Sequence, residues 1–124
     1  MQLKVQQVDR QKICCVAPLE PNINLHQTMF AGSIYTLMTL TGWGAVWLNQ
    51  QLVGVAGDIV LADAHIRYLA PVTCDPVVKV QWPDVDLSPL QRGRRVKVKL
   101  EVQLYCMDSL CAVFEGLYVS TSKV

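Results

Sequence analysis

The chain has 124 residues, 52% of them hydrophobic and 17% charged, with a formal net charge of +1. That length suits one domain that buries its own core, and the composition excludes a disordered or solvating chain. Near-neutrality gives no global case for nucleic acid or an anionic membrane, so any basic partner site has to be local.

Leu3, Val5 and Val8 alternate loosely, and after the polar Asp9-Arg10-Gln11-Lys12 the residues Ile13 to Ala17 form a compact apolar run. The pattern predicts a strand, a turn and a second strand that ends at Pro18 or Pro21. No basic segment followed by a short apolar one and a small-residue cleavage site opens the chain, which argues against secretion and for a cytoplasmic location.

From Pro21 to Gly57 there is no Asp, Glu, Lys or Arg. Met29 to Leu52 reads as a single helix, roughly 36 Å long at ~1.5 Å per residue. Thr28 is the expected N-cap and Gly54 the expected C-cap. Gly42 and Gly44 each weaken such a helix by about 1 kcal/mol relative to alanine, so a close approach of neighbouring backbone is expected there. A helix apolar on every face is buried on every face, in a protein core or in a membrane. No Lys or Arg flanks this one, and Ser33, Thr36, Thr39 and Thr41 lower its hydropathy, so burial in protein is the favoured reading.

Ile59 to Leu69 reads as a long strand, with Val60, Ala62, Ala64, Ile66 and Tyr68 on one face and Leu61, Asp63, His65 and Arg67 on the other. Pro71 stops it. Val77 to Trp82 is the next strand, and Pro83 to Gly93 a polar loop. Arg95 to Tyr105 alternates cleanly, with Val96, Val98, Leu100, Val102 and Leu104 inward, and Asp108-Ser109 turns the chain back into Leu110 to Ser120. The order predicts a single α+β domain over residues 1–124, an antiparallel sheet wrapped on one central helix. One sheet cannot enclose a helix that is apolar all round, and an identical subunit is the simplest second cover. That is the hotdog fold, expected as a homodimer or a tetramer of the same subunits.

The five cysteines are an odd number without Cys-x-x-Cys spacing. Cys106 and Cys111 face each other across the predicted hairpin, but free buried thiols of an intracellular protein are the expectation. Two histidines without metal spacing predict no metal site.

The segments PNINLHQTMFAGSIYTLMTLTGWG, DIVLADAHIRYLAPV and LSPLQRGRRVKVKLEVQLY resemble the bacterial hotdog family labelled thioesterases, whose members stand alone or follow a GNAT acetyltransferase domain. The resemblance runs from Ile13 onward, and Asn-x-His-x-Thr-x-Phe-Ala-Gly-Ser is its most distinctive part. The family is associated with decarboxylation of malonyl-acyl carrier protein to acetyl-acyl carrier protein in fatty acid biosynthesis. Matched residue by residue, its catalytic asparagine falls on Asn24. The resemblance thus implies a standalone enzyme whose substrate rides on the phosphopantetheine of acyl carrier protein or coenzyme A. It implies no further cofactor, and no nucleic-acid or membrane partner.

The residues themselves suit that chemistry. A helix N-terminus offers unpaired N–H groups and a positive dipole end, and Ala31, Gly32 and Ser33 are small enough to let a thioester carbonyl approach. Hydrolysis needs a carboxylate near the thioester, and the loop and helix contain none. Decarboxylation instead needs the enolate oxygen stabilised and the carboxylate held in a dry pocket, for which a neutral donor such as Asn24 is suited. His26 is placed to bond substrate or protonate a carbanion, and Thr28 to contact substrate, although a turn, a backbone bond and a cap are the ordinary duties of Asn24, His26 and Thr28. Asp63 and His65 are candidates to act from across a dimer. Arg92, Arg94 and Arg95 form the one basic cluster, either a solvated loop or a grip for a phosphate or an acidic carrier. Thioester hydrolysis and a non-catalytic module binding acyl carrier protein or coenzyme A remain the alternatives.

Overall fold

The computed structural model describes residues 3–8, 12–19, 22, 28, 29 and 31–122. Strands β1 (Lys4–Val8) and β2 (Lys12–Val16) precede one long helix, α1 (Ala31–Val53). Four strands follow: β3 (Gly57–Tyr68), β4 (Val77–Gln81), β5 (Val96–Cys106) and β6 (Ser109–Ser122). All pair antiparallel in one sheet of order β1-β2-β4-β5-β6-β3, with α1 packed across its inner face. This is the hotdog architecture expected from the sequence. Among the described residues no helix is long and apolar enough to cross a membrane.

Although α1 carries no charge, it buries a single stripe: Ile34, Leu37, Met38, Thr41, Gly42, Ala45, Val46 and Gln50. These positions follow the three-and-four spacing of one helical face. The opposite face leaves Leu40, Trp43 and Trp47 exposed, with the two indoles stacked. Thr36, Thr39 and Thr41 donate their hydroxyls to the carbonyls of Gly32, Tyr35 and Leu37 at 2.8–2.9 Å, so these polar groups need no partner outside the helix.

The helix starts at Ala31 rather than Met29: Met29 is held in an extended β-bridge, with its N–H donating to the Val72 carbonyl at 2.8 Å. Thr28 therefore lies in a segment that runs beside the β3–β4 crossover and does not occupy the expected N-cap position. Gly54 does end the helix, in a left-handed conformation at φ 73°. The two central glycines differ. A Cβ on Gly42 would run into the ring and hydroxyl of Tyr118, whereas nothing lies within 4 Å of one on Gly44. The expected close approach is thus real at Gly42 only, and the neighbour is a buried side chain.

The alternation of β5 is as read, with Val96, Val98, Leu100, Val102 and Leu104 all buried. In β3 it is not. The register slips between Leu61 and Asp63, so Ala62 forms a bulge. Leu61 joins Ala64, Ile66 and Tyr68 on the inner face, while Val60 turns outward to 54% exposure. β3 lies at the edge of the sheet. The cysteines differ from expectation as well: Cys74, in the β3–β4 crossover, is joined to Cys106 by a disulfide, while Cys14, Cys15 and Cys111 are free and buried.

Candidate active site

The N-terminal end of α1, the last residue of β3 and the crossover beyond it enclose an open cleft of 370 Å³. Met29, Ile34, Leu69, Pro71 and Val72 give it apolar walls, and Ala31 and Tyr68 stand at its helical side. Hydrogen bonds hold these walls in place. The Leu69 and Ala70 N–H groups both donate to the Cys111 carbonyl, at 2.8 and 3.2 Å, and fasten the crossover to β6. The Met29–Val72 bond then fastens the approach to the helix onto the crossover. Ala31 and Gly32 are exposed and Ser33 half-buried, so the first turn of the helix is open to a ligand.

The Ala62 bulge sets the inner face so that Tyr68, opposite Ala112, turns toward the helix. Its hydroxyl donates to the Ala31 carbonyl at 3.1 Å. Burial, and then the neighbouring Tyr35, push its pKa above the usual tyrosine value, so the group stays a neutral donor. Among the described residues lining the cleft it is the one polar side chain, and there is no carboxylate. No group of three His, Cys, Asp or Glu among the described residues is arranged to hold a metal ion.

The sequence-derived candidates are distributed unevenly around this cleft. Thr28, Ala31, Gly32 and Ser33 belong to the segment that enters the helix beside it. Asn24 and His26 lie outside the described residues. Asp63 and His65 do not line the cleft of their own protomer: their register partners Leu117, Glu115, Lys99 and Glu101 lie on the outer face of the sheet, away from α1. The Asp63 carboxylate accepts the N–H of Ala64 at 3.0 Å, a local contact beside the bulge.

Arg92, Arg94 and Arg95 are exposed around a short 3-10 helix, Ser88–Arg92, which Gly93 ends at φ 74°. Asp86 bonds the Ser88 N–H and hydroxyl, and these bonds, with Arg92 nearby, lower its pKa. Leu90 of this turn packs beside Gly57, whose carbonyl accepts the Gln50 side-chain amide. The arginines therefore sit at the C-terminal end of α1, roughly 28 Å along the helix axis from Ala31 at ~1.5 Å per residue. One protomer does not bring them to its own cleft. Tyr68 is the site residue that the sequence reading passed over, because its inward alternation marked it only as core.

Over residues 1–122 the chain matches the YiiD_C family, described as "Putative thioesterase (yiiD_Cterm)". The chain belongs to this family. Among solved structures it is similar to the "putative thioesterase" of Shewanella oneidensis, at 69% identity and a TM-score of 0.95, over 98% of this chain and 85% of that one. A Chlorobaculum tepidum protein of unknown function matches at 27% identity and a TM-score of 0.91, over 99% and 84% of the two chains. A thioesterase of Haemophilus influenzae, at 16% identity and a TM-score of 0.69 over 95% and 76%, shares the fold. These matches place the chain among thioesterase-like hotdog enzymes.

Proposed function

We propose that this protein processes a short acyl thioester in the cleft at the N-terminus of α1, by decarboxylating a malonyl group carried on phosphopantetheine to an acetyl group. The observation that carries this choice is the absence of any carboxylate from the described lining of the cleft, together with Asp63 lying on the outer sheet face. A hydrolase has to activate water or supply a nucleophile, and the described residues lining this cleft provide no carboxylate, histidine or thiol for either. Decarboxylation takes no proton from the substrate. The carbon–carbon bond breaks, carbon dioxide leaves, and the electron pair passes into the thioester enolate, which the open helix amides and the Asn24 side chain stabilise before C2 takes a proton from water. The apolar walls favour loss of the charged carboxylate over its retention. Hydrolysis is the second reading, favoured by the family description and by the Shewanella relative.

The working unit in this proposal is a homodimer joined along β3. This twelve-residue strand has an unpaired edge, and the exposed Leu40, Trp43 and Trp47 lie on the uncovered face of α1. A two-fold axis pairs such an edge with itself antiparallel, which sets the start of one β3 beside the end of the other. The arginines at the C-terminal end of one helix then approach the cleft of the other protomer, where they grip the phosphate of the carrier arm or an acidic acyl carrier protein. Light scattering is expected to show a dimer or tetramer at micromolar concentration; a folded monomer with full activity would remove this part. The reaction itself is tested with Asn24→Ala, expected to lower malonyl-thioester turnover by roughly 10²- to 10³-fold with the fold intact. Near-wild-type turnover would reduce Asn24 to a turn residue.

A further inference from the structure

Tyr68 has a hydroxyl aimed into the first turn of α1, from a strand whose inner face is fixed by the bulge at Ala62 and by pairing with β6. Taken as a pin between strand and helix, that hydroxyl does little. Its acceptor, the Ala31 carbonyl, starts the helical ladder and keeps a backbone partner one turn on, whether or not the phenol is there. Withdrawing the hydroxyl therefore leaves no orphaned acceptor. In the protomer Tyr68 is 49% exposed, which leaves the side chain room to re-aim. Among the described residues lining the cleft no other side chain offers a hydrogen-bond donor.

We propose that Tyr68 is an oxyanion donor: when an acyl thioester enters the cleft, its hydroxyl leaves the Ala31 carbonyl and donates to the thioester carbonyl oxygen. The inference rests on the cleft being an acyl-thioester site, and it holds for decarboxylation and hydrolysis alike, because both build negative charge on that oxygen. The helix amides approach the oxygen from the axis of α1, and the phenol approaches from the β3 side. The two directions together fix the carbonyl plane, which a row of amides on one side does not.

The experiment compares the wild type with Tyr68→Phe, which keeps the ring and removes the donor. With whichever acyl thioester the wild type turns over, malonyl in the decarboxylation reading, kcat is expected to fall about 10²-fold while KM stays within about two-fold, the mark of a contact made chiefly in the transition state. A pin would change the melting temperature and leave kcat in place. Binding is read in parallel with two stable pantetheine analogues, a ketone with methylene replacing sulfur and its partner with the carbonyl reduced to methylene. The wild type is expected to prefer the ketone by no more than about two-fold, the same ground-state share that KM reports, and Tyr68→Phe to lose that preference while binding the carbonyl-free analogue unchanged. Equal binding losses on both analogues, or a change in KM alone, would overturn the role of Tyr68 and leave the acyl site standing. If the wild type turns over no thioester and binds neither analogue, the acyl site fails and the role of Tyr68 fails with it.

Discussion

Gly42 and Gly44 lie two residues apart on one helix, and the structure assigns their alanine substitutions opposite signs. At Gly44 a Cβ meets nothing within 4 Å, so Gly44→Ala is expected to gain about 0.5–1 kcal/mol from helix propensity. At Gly42 the Cβ would stand 2.8 and 2.9 Å from ring carbons of Tyr118 and would collide with its hydroxyl. Tyr118 is fully buried, and its hydroxyl donates to the Thr39 carbonyl at 2.7 Å. The ring has no free space to enter, so overpacking costs about 1–3 kcal/mol, and loss of the hydroxyl's partner about 1–2 kcal/mol more. After the helix-propensity gain, Gly42→Ala is expected to be destabilised by about 2–3 kcal/mol. For a chain of this length that is a fall of roughly 10 °C in Tm. Urea unfolding at one fixed protein concentration, with the slope compared between variants, measures both changes at equal mass action. If Gly42→Ala is no less stable than wild type, the Tyr118 contact is not the reason for the glycine.

Under denaturing but non-reducing conditions three of the five thiols should react, because Cys74 and Cys106 are joined; five reactive thiols would contradict the disulfide. With a sequence separation of 32 between the two cysteines, replacing both with serine should lower stability by about 3–4 kcal/mol, read from denaturant midpoints. Changing Arg92, Arg94 and Arg95 together to serine should raise KM for a carrier-bound thioester and flatten its salt dependence, with kcat little altered. An unchanged KM at low salt would return the cluster to a solvated turn.

Much of the fold was legible because two periodicities are written plainly in the chain. The uncharged run through Leu37, Met38, Ala45 and Val46 marked the central helix, and the strict alternation from Val96 to Leu104 marked a strand with one buried face. β3 was legible as a strand but not in its faces. Val60, Leu61 and Ala62 are all apolar, so the pattern supports either register, and only pairing with β6 places the bulge. The helix start was misplaced by two residues because Met29 bonds the crossover at Val72, a tertiary contact that no local cap signal reveals. The same holds for Cys74 and Cys106, which topology brings together from the crossover and the end of β5. The small residues at the helix N-terminus were found because their chemistry is local. Tyr68 was missed because its role depends on what faces it across the fold.

The central claim, that this cleft breaks a carbon–carbon bond and spares the thioester, is tested most directly by product partition. Malonyl-acyl carrier protein is incubated with the wild type and with Asn24→Asp, and the carrier species are resolved by mass while free thiol is titrated. The wild type is expected to yield acetyl-carrier protein with carbon dioxide and little free carrier thiol. Asn24→Asp, which sets a negative acceptor beside the malonyl carboxylate, should lose that activity at least as completely as Asn24→Ala, and with an acetyl thioester any activity it gains should be slow hydrolysis. Free carrier thiol and malonate as the main wild-type products would contradict the claim and make the protein a hydrolase.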